Sequence, residues 1–527
     1  MGFAEDIAKN AGDQQCVNFI KEKVEACEKH HKCGKDGGAL PLLPDRVIWI
    51  EANNESRIQL VEPESIRARY IALSYCWGPV SPNTYLTNVD TLHARKSGIM
   101  FNDLPPLFQD VIKTARALGI WYIWIDRLCI IQGDDKDFLS QAPKMGEIYG
   151  NASLTIAAAS ATTENDRILV PREDMWLSSD YRVDFNGVGC IKTRSRRLLH
   201  PLGKEPRGGD YGKISTRAWV WQERLLAART VFFTPGGLKF ECRCHPVWEG
   251  FDKSRTGHSW STQLDSITHS SWTGLVEEFM GRNITRPSDR LHAIDAVVKR
   301  IQKATKWSPC WGLWENNLLQ CLAWQPKRAT RNGGHECRPN PGHYAPTWSW
   351  ASIDGPIEYA NARPIRGLEE TDPMQWDPQV RIANTASGII RVTGQAMRIE
   401  VQVTVKPNEA HKFEPEKFTY TYRLSGGPEG QEGFPFQPDV ALKLWTGNID
   451  GHHTSTIVRV PYEETPPEES WNGICICLLL GRKKLTSLAL LLGRSLQNPS
   501  AFERVGMVYG LPPTGFLISK RTVIDIA

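Results

Sequence analysis

No stretch of this chain is both long and apolar enough to cross a bilayer as a helix. The nearest, Ile474–Leu492, carries Arg482, Lys483 and Lys484 in its middle, and charges at that depth are expensive in lipid. It reads instead as two buried strands joined by a turn at Gly481–Lys484. Nor is there an excess of one charge. The chain sets 63 Lys and Arg against 59 Asp and Glu, which gives no case for nucleic acid as a partner. The local cluster Arg194, Arg196 and Arg197 reads as a solvated loop. Met1–Gln14 holds Glu5, Asp6, Lys9 and Asp13 and no apolar run, so no secretory leader is read there. The 13 cysteines are odd in number and widely scattered. Reduced thiols and a cytoplasmic location are therefore expected. No P-loop, dinucleotide glycine fingerprint or HExxH helix is present, which removes the commonest nucleotide-binding and zinc-protease readings.

What is abundant is tryptophan, with 19 residues, several of them in short motifs rather than in periodic core stripes. Trp suits flat ligands and interfaces, and it also fills cores. At 527 residues the chain is long enough for several units. Four segments are read: residues 1–65, a helical leader and a hairpin over Arg46–Leu60; residues 66–235, alternating strand and helix; residues 236–340, mainly helical; and residues 341–527, rich in strands. Within the second segment Tyr70–Tyr75, Trp121–Ile125 and Ala152–Ala159 are short apolar strands. A one-sided helix follows Pro105, with Asn102 or Asp103 as its cap and Gly119 as its end. A second helix runs from about Asp135 to Tyr149, with Pro143 breaking it. Another covers residues 215–228, capped by Ser215 or Thr216. Apolar strands separated by helices indicate a parallel sheet covered on both faces. The fold class expected is α/β, followed by a helical segment and a β-rich C-terminal region.

Four blocks stand in order in the α/β segment. They are Tyr70-Ile71-Ala72-Leu73-Ser74-Tyr75-Cys76-Trp77-Gly78; Trp124-Ile125-Asp126-Arg127-Leu128-Cys129; Met145, Ile148, Tyr149 and Ala152; and Arg217-Ala218-Trp219-Val220-Trp221-Gln222-Glu223-Arg224. Together they resemble the fungal heterokaryon-incompatibility (HET) domain. Cys27, His31 and Cys33 match a leader pattern of such proteins. Pro287–Leu291, Trp348–Ser352 and Phe502–Gly506 are similar to downstream blocks of long HET proteins. Three features depart from the pattern: Pro143 and Gly146 fall inside the second helix, Arg127 stands where the family has a small residue, and Arg194–Gly212 is a long polar insertion. HET domains are similar to TIR domains, so the resemblance implies a three-layer, flavodoxin-like fold. Some TIR domains cleave NAD with one glutamate, carried over here to Glu223. The resemblance further implies a cell-death effector in non-self recognition, with NAD as substrate and no resident cofactor. A non-enzymatic, self-associating signalling module with protein partners is the alternative.

Position supports a site in the same place without the family. In open parallel sheets ligands bind beyond the carboxyl ends of the strands. Tyr75, Trp77 and Gly78 follow the first strand and Asp126 follows the second. Trp219 and Glu223 are four apart and share a helix face. An acid beside a buried indole is partly desolvated, which raises its pKa. One carboxylate can stabilise the oxocarbenium-like ribosyl state of nicotinamide cleavage. The resemblance thus makes Glu223 the catalytic candidate, with Tyr75, Trp77, Gly78, Asp126 and Trp219 as the ligand-binding candidates. Each has a structural alternative. Glu223 can pair with Arg217 or Arg224, Asp126 can cap the next turn, and Trp77 can pack rather than stack.

Two groups carry metal-ligand side chains: Cys27, His30, His31 and Cys33, then Cys242, Cys244 and His245. Neither shows the paired knuckle spacing of structural zinc sites. No metal is expected on that ground. A site shared between the two groups, built from Cys27, Cys33, Cys242 and a histidine, is the alternative.

Overall fold

The structure is a computed structural model. It describes residues 6–31, 33, 40–51, 57–79, 84–172, 179–182, 190–193, 212–244, 246–250, 264, 267–327, 337–340, 344–360, 374–384, 387–407, 418–425, 433–449, 451–483, 486–516 and 519–527. The basic cluster, most of the polar insertion before Gly212, and His245 lie outside the described residues. The chain sorts into two compact units. One is Met1–Ser266 with His292–Ala304, the other Ile267–Leu291 with Thr305–Ala527.

The first unit is built on an eight-stranded sheet. Its strands in chain order are β1 (Val47–Ile50), β2 (Ile58–Val61), β3 (Ile71–Ser74), β4 (Tyr122–Trp124), β5 (Leu154–Ala157), β6 (Arg229–Thr234), β7 (Gly237–Cys242) and β8 (Pro246–Trp248). Their order across the sheet is β8-β7-β6-β5-β3-β4-β1-β2. The centre is parallel: Ile71 of β3 sits between Leu154 of β5 and Ile123 of β4, and β6 pairs parallel with β5. This is the α/β arrangement read from the three apolar segments. All four residues of β3 and of β5 are buried, as expected for strands covered on both faces. Both edges are antiparallel, through the β1–β2 hairpin on one side and β7 and β8 on the other.

The helices of this unit include α1 (Gln14–Ala26), α2 (Pro106–Leu118), α3 (Asp135–Gln141), α4 (Met145–Asn151) and α5 (Ala218–Leu226). Pro106 occupies the first turn of α2 and Gly119 ends it with φ 71°, the left-handed conformation that glycine adopts without strain. Asn102 and Asp103 do not cap α2. They lie in a separate turn, Phe101–Asp103, and Pro105 holds the cap position. The expected break at Pro143 is present: α3 ends at Gln141, and a tight turn, Ala142–Lys144, leads into α4. Asp134 caps α3 by accepting from the backbone N–H groups of Lys136 and Asp137. Ser215 and Thr216 do not cap α5. Their hydroxyls donate to the carbonyls of Gly212 and Lys213 in the preceding turn, and Arg217 takes the cap position.

Residues 1–65, read as a separate segment, share one core with residues 66–235. Cys16 and Ile20 of α1, Ile48 of β1, Leu107 and Val111 of α2, and Phe240 of β7 belong to the same buried cluster. Gly237–Cys242 and Pro246–Trp248 likewise extend the sheet. The helix His292–Thr305 also serves this unit. The backbone N–H of Ala296 donates to Gln222 Oε1 at 3.0 Å. A Cβ on Gly146 would come within 2.3 Å of the Ala296 Cβ, so only glycine lets α4 approach so closely.

The second unit is dominated by strands, in keeping with the β-rich region expected from Pro346 onward. Its main sheet contains β9 (Ile389–Pro407), β10 (Phe418–Leu424), β11 (Trp471–Arg482), β12 (Ser487–Arg494), β13 (Phe502–Leu511) and β14 (Arg521–Ile526). Ile389–Val392 and Arg398–Val405, read as two strands, are one 19-residue strand. The residues between them stay in the sheet because Thr393, Gly394 and Gln395 pair with β14. β11 and β12 are the buried antiparallel pair read from the apolar stretch around Arg482. Among the described residues no helix is long and apolar enough to cross a membrane.

Candidate functional site

The carboxyl edge of the parallel strands gathers acids, arginines and aromatic rings. β3 ends at Ser74, and the chain runs out through Tyr75, Cys76, Trp77 and Gly78. Tyr75 is buried, its ring edge-on to Phe108 at 5.4 Å. Its carbonyl accepts from Arg217 Nη1 at 2.6 Å, while its hydroxyl has no hydrogen-bond partner. Gly78 turns the chain with φ 73°, and a Cβ there would lie 2.7 Å from Thr163 Cγ2. Its requirement is therefore one of backbone and space.

β4 delivers Asp126 to the same place, at the first residue of a short helix, Asp126–Cys129. The Trp77 indole N–H donates to Asp126 Oδ2 at 2.7 Å, and the backbone N–H of Arg127 donates to Oδ1 at 2.7 Å. Asp126 thus partly acts as the cap its position allows. Burial pushes its carboxyl up, against the pull of Arg217, the Trp77 N–H and Arg127. The Arg127 guanidinium lies 4.5 Å from the Trp77 ring centre, within cation–π reach. The same guanidinium pairs with Glu164 at 2.6 Å, both side chains being buried. Trp77 is therefore engaged on its N–H and over its ring, which is the packing alternative.

Glu223 sits within α5, its side chain turned inward and only 5% of the residue exposed. Burial raises its pKa to about 7, although Ser74, Arg217 and Tyr149 all pull it down, and Asp126 adds to the rise. Oε2 is buried without a hydrogen-bond partner. Arg224 pairs instead with Glu241 at 3.0 Å. The expected pairing of Glu223 with Arg217 survives as an attraction that Asp126 also feels, so one guanidinium serves two acids. Trp219 is half-buried and packs edge-on against Phe138 at 6.3 Å. Cys76 is buried among Ala157, Ile214, Val220 and Phe232.

The structure thus couples Tyr75, Trp77, Asp126 and Glu223, with Gly78 shaping the turn and Trp219 beside α3. Sequence reasoning missed Ser74, Tyr149, Arg217 and Glu164 as members. The first three were visible as motif residues, whereas Glu164 gives no local signal in its polar loop. A group of this composition can hold a proton near neutral pH on Glu223 and can present negative charge to a developing cation. Trp77→Phe removes the donor to Asp126. A loss of roughly 1.5–3 kcal/mol is expected for a hydrogen bond to a buried charged acceptor, read from the urea midpoint of the full chain.

The fold and the cluster define a parallel-sheet α/β unit with a buried acid at its carboxyl edge. Residues 70–223 match the family model described as Heterokaryon incompatibility protein (HET). The match opens at Tyr70 and closes at Glu223, so it takes in every ligand-binding and catalytic candidate. No curated protein and no solved structure matches the chain.

Proposed function

We propose that the chain is a cytoplasmic cell-death effector of the heterokaryon-incompatibility type, and that residues 70–223 hydrolyse NAD in a TIR-like site with Glu223 as the catalytic carboxylate. The observation that carries this reading is Glu223 itself. Its carboxyl is buried at the strand edge, has one oxygen without a partner, and titrates at about 7. In the reaction the ribosyl C1′–N bond breaks and its electron pair goes to nicotinamide, which leaves as a neutral ring. The Glu223 carboxylate faces the ribosyl cation, and Asp126 adds negative charge to the same region. A water oxygen then bonds to C1′ and its proton passes to solvent. No second acid is needed, because the leaving ring carries its own positive charge.

Because the anion is the working form, the rate rises with pH through about 7 and levels off above it. Purified full-length protein incubated with NAD is expected to release free nicotinamide with that profile, followed by chromatography. Release that is flat from pH 6 to 8 would remove Glu223 from the reaction.

A second reading has its own support. Trp77 is already occupied by Asp126 and Arg127, as in a site whose side chains serve folding. The domain would then act by self-association with protein partners and without chemistry. Growth arrest on expression with no nicotinamide released, even at high protein concentration, favours that reading.

A further inference from the structure

Away from the acid cluster, the fold brings together the two cysteine–histidine groups that sequence spacing held apart. Cys27 and His31 lie four apart on the final, wider turn that continues α1, so they share a face. Cys33 follows just beyond. Cys242 is the last residue of β7, more than 200 positions later. One ligand atom from each of Cys27, His31, Cys33 and Cys242 lies within 4.8 Å of all the others. The three cysteines are 0%, 4% and 3% exposed.

We propose that Cys27, His31, Cys33 and Cys242 form a closed structural zinc site that fastens the N-terminal helix to the edge of the sheet. Four protein ligands with sulfur in the majority are the structural pattern, since catalytic zinc keeps a position open. Zinc–sulfur bonds of about 2.3 Å and a zinc–nitrogen bond of about 2.0–2.1 Å in a tetrahedron put ligand atoms roughly 3.5–3.8 Å apart. The Cys242 Sγ to His31 Nδ1 distance is 3.4 Å, already close to that value. A zinc ion would take the three sulfur atoms as thiolates, with the thiol protons passing to solvent. Arg229 supplies the outer contact: its Nε donates to Cys27 Sγ at 3.2 Å, and the side chain is 7% exposed. Arg229 offsets the negative charge left by three thiolates on one zinc ion, and Glu28, 30% exposed, lies 3.9 Å from the same guanidinium. His30 and Cys244 stand outside the set, although the exposed Cys244 has its Sγ 3.5 Å from that of Cys33.

The test uses the full chain purified under reducing conditions without chelator. Metal analysis is expected to find one zinc per chain. After removal of zinc, cobalt(II) is expected to give the intense visible bands of tetrahedral coordination and a near-ultraviolet sulfur-to-metal absorption. Cys242→Ser should reduce that absorption to about two thirds, three thiolates becoming two. The wild-type spectrum stands alone if that variant does not fold. A wild-type chain that takes up neither zinc nor cobalt overturns the proposal. So does a weak, octahedral cobalt spectrum, or peptide mapping that finds Cys33 and Cys244 joined as a disulfide in the active chain.

Discussion

Glu223→Gln is expected to give a folded protein that loses roughly 10²–10³ of the proposed NAD-cleaving rate and is more stable than the wild type above pH 7. The two halves of this result have one cause. The carboxyl moves from an ordinary value near 4.5 to about 7 on folding, chiefly through burial. Its protonated form is therefore favoured by the fold. That stabilisation is fully present below the unfolded value and is lost as pH rises through about 7. The charged carboxylate at pH 8 costs on the order of 3 kcal/mol, because each tenfold change in proton affinity corresponds to about 1.4 kcal/mol. Glutamine fills the same space and carries no charge at any pH. Wild-type melting temperature should thus fall between pH 5 and 8 while that of the variant stays level, leaving them several degrees apart at pH 8. A residue whose removal stabilises the fold and abolishes activity is held for function. A Glu223→Gln protein that melts lower than wild type at pH 8 would instead mark the carboxylate as a structural partner.

The largest loss of stability is expected from Arg504→Ala, in the second unit. Arg504 is completely buried, as is its partner Asp439. Its Nε donates to Asp439 Oδ2 at 2.7 Å, Nη1 donates to the Leu322 carbonyl at 2.7 Å, and Nη2 donates to the carbonyl of Trp324. The guanidinium also lies 3.6 Å from the Trp324 ring centre. Truncation strands a charged carboxylate and two carbonyls in the interior, so a cost of roughly 3–5 kcal/mol is expected. Urea unfolding of the full chain, followed by tryptophan fluorescence, measures it. The double replacement Arg504→Met with Asp439→Leu removes both charges together and should recover most of the loss. If Arg504→Ala alone leaves the midpoint unchanged, the pair contributes no stability.

Arg504 belongs to the block Phe502–Gly506, and its neighbours explain why such blocks are readable without being sites. Trp348 and Trp350 of the block Trp348–Ser352 donate their indole N–H groups to the carbonyls of Gly388 and Gly312. Arg290 of the block Pro287–Leu291 is buried and pairs with Asp354. These tryptophans and arginines stand out in sequence because they fill the interior and tie loops together. The parallel centre of the first unit is legible for a similar reason: β3 and β5 are apolar at nearly every position, and Pro143 and Gly119 act locally. The cap of α5 differs from expectation because the hydroxyls of Ser215 and Thr216 have partners in the preceding turn, and that of α2 because Asn102 and Asp103 belong to a separate turn and Pro105 takes the position. In the acid cluster Asp126 and Glu223 can be placed from strand ends and helix spacing. The pairing of Arg127 with Glu164, which fixes the Trp77 ring, joins residues 37 apart in the numbering, and nothing local announces it. The cysteine cluster is the extreme case. Ligand spacing is informative when both halves lie in one hairpin or turn, and it fails when a helix end and a strand end provide them.

The interleaving of the two units governs the order in which a growing chain can finish folding. The chain leaves the first unit at Ser266, spends Ile267–Leu291 in the second, and comes back for His292–Ala304. The returning segment carries the N–H that meets Gln222, 74 residues after it, and the methyl group that Gly146 makes room for. A ribosome that has released residue 266 has therefore delivered Glu223, Asp126 and Trp77 but not the helix that closes over α4 and α5. Under the function proposed above, a nascent or truncated chain then holds Glu223, Asp126 and Trp77 without the seat that aligns them.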